Sequence, residues 1–189
     1  MSSFLRIAGA AALVLAFGLA ARALPLGTLL DVNIPVLAHT NAVCETLNTM
    51  IEADIVAKLR ACVNAATLAE LRVAIDACVV VIKACAEALL KVKADVVVDA
   101  AVKADIVAFV AAIVTLVVKV CLQLTLKFGV SAVATVCAEL DVCVRLLLAN
   151  LDVCITGILT LIVKACVSVT VDLLAKINLA ACANLFIGI

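Results

Sequence analysis

The 189 residues carry 14 basic and 14 acidic side chains, and 68% of them are hydrophobic, against roughly 45–50% in an average globular chain. Zero formal charge leaves no electrostatic footprint for nucleic acid and no basic face for an anionic membrane. The excess is Ala, Val and Leu, with Tyr and Trp absent, so the chain has more apolar surface than a protein of this size normally hides.

The N-terminus reads as an address. Residues 1–6 carry one positive charge, residues 7–20 are an uncharged apolar run, and Ala21-Arg22-Ala23 fits a small-x-small cleavage site. This pattern predicts a secretory signal peptide over residues 1–23, because the run is short for a span and Arg22 follows it closely. Removing it takes away Arg6 and Arg22 and leaves a slightly acidic mature chain. Both prolines, Pro25 and Pro35, fall in residues 24–40, which are predicted to be an extended lead-in; the single histidine, His39, lies there too.

From residue 41 onward there is no proline, and no glycine occurs between Gly27 and Gly129, so long helices are permitted. About five are predicted, in one domain over residues 41–189. The first runs from a Thr40/Asn41 cap to about Asn64. The second starts at Thr67, where Glu70 completes a capping box, and runs to about Lys91. The third starts at Asp95 or Asp99 and ends at Phe128-Gly129, since glycine suits the position just past a helix. The fourth runs from about Ser131 to Ala149. The fifth runs from Asn150 or Asp152 to about Asn178, with a bend at Gly157, and residues 179–189 either continue it or trail off. The pairs Asp54–Lys58, Glu87–Lys91, Asp99–Lys103, Asp141–Arg145 and Asp172–Lys176 put an acid four residues before a base, which favours helix over the strands that Val-rich stretches would suggest. Polarity is graded: residues 41–105 hold 16 charges and residues 106–189 hold 9, so the second half is the strongly apolar one. Short phrases recur, such as Lys83-Ala84-Cys85 and Lys164-Ala165-Cys166, but without a fixed period, so no solenoid is predicted.

Ten cysteines follow the signal segment: Cys44, Cys62, Cys78, Cys85, Cys121, Cys137, Cys143, Cys154, Cys166 and Cys182. An even number in an exported chain reads as a disulfide framework, and the absence of C-x-x-C argues against zinc. In an antiparallel helical hairpin, bonded residues sit symmetrically about the turn. Cys121 and Cys137 flank Gly129, Cys143 and Cys154 straddle Asn150, and Cys44 and Cys85 flank the turn before Thr67, so these three pairs are expected. Each cross-link would be worth about 2–4 kcal/mol and would let so apolar a chain keep its fold while exposing part of its surface.

Catalysis finds little footing. One histidine, no G-x-S-x-G, no glycine-rich phosphate loop and carboxylates at salt-bridge spacing leave no catalytic, cofactor-binding or metal-ligating residue to assign. Three fates remain for the apolar surface: an amphiphile at a hydrophobic interface, a carrier enclosing lipid or another apolar ligand, or a multi-span membrane protein. For the last, residues 106–126 and 153–171 approach span length, each interrupted by one lysine.

The contrast between residues 45–105 and 106–189, behind a signal peptide, resembles the secreted mycelial surface proteins of mushroom-forming fungi that are not hydrophobins. The likeness is compositional and covers the whole chain. It implies a structural role at the hyphal wall and attachment to hydrophobic surfaces. The expectation is thus an all-α, disulfide-stapled, secreted, non-catalytic and surface-active protein, whose partners are a hydrophobic surface, lipid, or further copies of itself.

Overall fold

The structure, a computed structural model, describes residues 34–166, 169, 173, 174, 177 and 179–188. The expected signal peptide and the first part of the lead-in lie outside the described residues. The described residues are helical with no strand. The helices are α1 (Ala42–Glu52), α2 (Ile55–Asn64), α3 (Leu68–Leu89), α4 (Ala100–Phe128), α5 (Val130–Cys154), α6 (Ile158–Ala165) and α7 (Ala180–Ile187).

Short polar side chains start four of them. The Asn41 carboxamide oxygen accepts the Cys44 amide at 2.9 Å, and the Asp99 carboxylate accepts the Val102 amide at 2.8 Å. Thr67 accepts the Glu70 amide at 3.2 Å, while the Glu70 carboxylate reaches back to the Ala66 amide at 2.7 Å. Each satisfies an amide that the helix itself leaves open. Asp54 does the same for α2, and this corrects the first expected helix. Asp54 takes a left-handed backbone (φ 52°), accepts the Ala57 amide and splits the segment into α1 and α2; aspartate tolerates this conformation better than most residues.

The expected boundary at Asn150 does not exist. The Asn150 amide points sideways and donates to the Ala86 carbonyl at 2.8 Å, so α5 runs unbroken to Cys154. The break falls instead at Gly157 (φ 75°), where a bend was expected, and the Asp152 carboxylate reaches across it to accept the Leu159 amide at 3.0 Å. The fifth expected helix therefore ends early, at Ala165, and the C-terminal stretch forms the separate α7.

Helices α2 and α3 form one antiparallel hairpin and α4 and α5 a second. Their turns lie at the same end, because Lys127 at the close of α4 donates to the Val63 and Ala65 carbonyls at the close of α2 (3.1 and 2.6 Å). The hairpins lie side by side, with α2 against α4 and α3 against α5, each pair running in the same direction. The third layer of the stack follows the same rule. Helix α6 lies along α4, with Cys166 reaching Ala111, and α7 lies along α5, with its first turn on Asp141. One sheet of helices is thus α2, α4, α6, and the other α3, α5, α7. The core between them is aliphatic apart from Phe109 and Phe186 and includes all ten cysteines.

The lead-in is non-helical over residues 34–40, as expected, and is fastened down: Leu37 is buried, its carbonyl accepts from Asn48, and His39 pairs with Asp105 at 2.8 Å. That is the one ion pair among the described residues. The acid-before-base pairs expected at 54–58, 87–91, 99–103 and 141–145 do not close, and Asp172–Lys176 lies outside the described residues.

Candidate functional site: paired thiols in the core

The residues with most chemistry in this chain are its cysteines. All ten are buried free thiols. They divide by what faces them. Cys62 on α2 and Cys78 on α3 meet with their sulfurs 3.7 Å apart, in van der Waals contact across the first hairpin. Cys121 on α4 and Cys137 on α5 lie close enough across the second to act on each other's ionisation. Each pair is separated by the same interval, Cys-x15-Cys, centred on Gly129 for Cys121 and Cys137 and on the first turn of α3 for Cys62 and Cys78. Placed symmetrically about Gly129, an interval of 16 returns the chain to the same level of the antiparallel pair α4 and α5. Cys166 and Cys182 repeat it a third time, just past the end of α6 and on α7.

The two facing pairs lie near one another, with Cys62 within electrostatic reach of Cys137. Among the described residues no three His, Cys, Asp or Glu converge on a centre that could hold a metal, so the arrangement is two pairs rather than one four-thiolate cage. Hydrogen bonding to Cys78, together with burial, pushes the Cys62 thiol up. Hydrogen bonding to Cys137 and full burial hold Cys121 well above the usual thiol range, whereas the same hydrogen bond lowers Cys137, whose thiolate it stabilises. Cys137 is thus the more readily ionised member of its pair.

The remaining thiols face the backbone or other residues. Cys85 donates to the Thr46 carbonyl of α1 at 3.4 Å, Cys154 to Leu89 at 3.4 Å, Cys166 to Ala111 at 3.9 Å and Cys182 to Asp141 at 3.6 Å. Cys44 accepts from the Asn41 amide at 3.1 Å, and Cys143 sits near Lys83 and Glu139. Burial pushes Cys85 up to about 12 and Cys166 up to about 11. It raises Cys44, Cys143 and Cys154 as well, and Cys182 is raised further by its contact with Asp141.

Of the three expected pairs, Cys121 and Cys137 are near enough to act on each other's ionisation, without a disulfide between them. Cys44 and Cys85 lie on the packed helices α1 and α3, but each thiol has a different partner. Cys143 and Cys154 are on one continuous helix, about 16 Å apart along its axis and beyond the reach of a disulfide. The Cys62–Cys78 contact was missed, although the repeated interval of 16 announces it.

Asp141 is the one buried charged residue among the described residues. It accepts the Ala181 and Cys182 amides at 2.7 and 3.0 Å and so receives the N-terminus of α7, where a negative charge is favoured. Beside it, Arg145, Asp152, Thr160 and Asn184 line an open groove of about 470 Å³ between α5, α6 and α7. Leu159 and Leu185 complete its walls, which are therefore mixed.

The exterior is uneven. On the α3, α5, α7 side, Val73, Val80, Val142, Leu146, Val153 and Ile187 stand exposed, while on the α2, α4, α6 side the exposed large aliphatic residues are Leu126 and Leu161. Helix α4 is long and apolar enough to cross a membrane, yet 61% of its most apolar window is buried within the protein. No family model matches this sequence, and no curated protein or solved structure matches it.

Proposed function

We propose that the chain is an exported, non-catalytic structural protein that acts at hydrophobic interfaces, with a disulfide-stapled helical stack as its scaffold and the α3, α5, α7 side as its contact face. The carrying observation is the lopsided exterior, with aliphatic side chains concentrated on one side of the stack. Withdrawing about 100 Å² of apolar surface from water is worth about 2.5 kcal/mol, so a handful of such side chains suffices to hold a folded protein at an air, wall or solid boundary. The N-terminal sequence and the compositional likeness to fungal mycelial surface proteins support export and a place at a cell wall. The spanning alternative keeps one argument, the length and composition of α4.

Drop tensiometry and adsorption to polystyrene test the reading. The purified chain should lower surface tension and adsorb. A variant combining Val73→Lys, Val80→Lys, Val142→Lys and Val153→Lys should lose most of both effects and still melt cooperatively. A parent without surface activity, or a variant that adsorbs as well as the parent, would refute it.

A further inference from the structure

We propose that Cys62–Cys78 and Cys121–Cys137, the two thiol pairs that face each other across successive hairpins, are the disulfide sites of this chain, and that the other six cysteines stay as thiols. The inference deepens the disulfide part of the reading above and does not depend on surface activity.

Three observations carry it. First, the sulfurs of Cys62 and Cys78 already touch at 3.7 Å, and Cys121 and Cys137, buried eight residues to either side of Gly129 on the antiparallel α4 and α5, lie close enough to act on each other, so closure needs a side-chain rotation and a small approach of the helices. Second, five of the other thiols contact a carbonyl or an amide and Cys143 lies near charged side chains, with no second sulfur in contact among the described residues. Third, the two pairs have the same interval and each joins the two helices of one hairpin, in hairpins that pack in parallel. Cys166 and Cys182 share the interval, but their thiols engage the preceding hairpin, at Ala111 and Asp141.

The oxidant is a small-molecule disulfide such as glutathione disulfide. The Cys137 thiolate attacks one glutathione sulfur and expels the other as a thiolate. Cys121, giving up its proton, then attacks the Cys137 sulfur and releases the second glutathione. The protein loses two electrons and two protons and gains one S–S bond, while glutathione disulfide is reduced to two thiols. The first pair closes by the same exchange. All four sulfurs are buried in the finished stack, so the exchange belongs to folding, before the hairpins pack.

The test folds the purified full chain in a glutathione redox buffer, alkylates it under denaturing conditions and maps tryptic peptides without reduction. Working on purified protein separates the pairing from the question of export. Six cysteines should be alkylated. The peptide over residues 61–72 should be linked to 73–83, and 120–127 to 128–145, with fragmentation placing the second link on Cys137 rather than Cys143. Cys78→Ser should abolish the first link and keep the second. Ten alkylated cysteines, or a link through any of the other six, would overturn the proposal.

Discussion

The first and second hairpins share a plan but differ in what surrounds them. Helix α2 packs on α3 and α4, with a lighter contact from α1, whereas α4 packs on α2, α5 and α6. The first hairpin accordingly displays Arg60, Glu70, Arg72, Asp76, Lys83 and Glu87 to solvent, while the stretch from Ile106 to Leu126 in α4 contains one charge, Lys119. A helix apolar on nearly every side must be covered by something. Here neighbouring helices cover most of it, so the gradient of polarity along the chain records position in the stack. Hydropathy alone does not separate the middle helix of a three-layer stack from one that spans a bilayer.

This comparison can be broken by substitution. Phe109→Ala, at a fully buried site on α4, should cost about 3–5 kcal/mol in urea unfolding, whereas Val73→Ala, exposed on α3, should stay within about 0.5 kcal/mol. A mild effect at Phe109 would mean that α4 is not the centre. Asp141→Ala strips α7 of the carboxylate that receives its first turn. A loss of about 2–3 kcal/mol is expected, with faster amide exchange at Ala181 and Cys182 and unchanged exchange in α2. Alkaline pH probes thiols at both ends of the stack. Cys85 and Cys166 are raised from 9.0 to about 12 and about 11, so above pH 9 the unfolded chain releases protons that the folded one keeps. Their contribution is whole below pH 9 and is lost as pH rises through the folded values, at about 1.4 kcal/mol per pH unit for each thiol. The slope of stability against pH in that range should be shallower in Cys85→Ala than in the parent. Thr67→Ala, removing the cap of α3, should cost about 1 kcal/mol and be seen as a small fall in Tm.

Much of this architecture was legible in the sequence. Asn41, Thr67 with Glu70, Asp99 and Gly129 mark the helix ends they were expected to mark, because capping is a local transaction between a side chain and the next turn. Asp54 and Asp141 were misread for an equally local reason. An acid four residues before a base supports a helix as an ion pair, but the same carboxylate can instead accept amides. A solvent-exposed pair is worth less than about 1 kcal/mol, so capping wins where amides are open. Asn150 reads as a boundary because asparagine often caps, and nothing local reveals that Ala86 awaits it on another helix. The paired thiols were half legible. The interval within each hairpin is constant, but Cys62, Cys121 and Cys166 are unevenly spaced because the loops between hairpins differ. A search for a fixed period passes over that pattern. The disposition of the exposed aliphatic residues was not legible at all, since it depends on which helices become neighbours.

The segment joining the first two hairpins is tied at an unexpected place. The amides of Asp95 and Val96 donate to the carbonyls of Val153 and Cys154 at the far end of α5, at 3.2 and 2.7 Å. During vectorial synthesis these donors emerge long before their acceptors. Until the ribosome has delivered the end of α5, the joint hangs open to any protease that passes, and its protection then dates the moment when the middle of the molecule is finished.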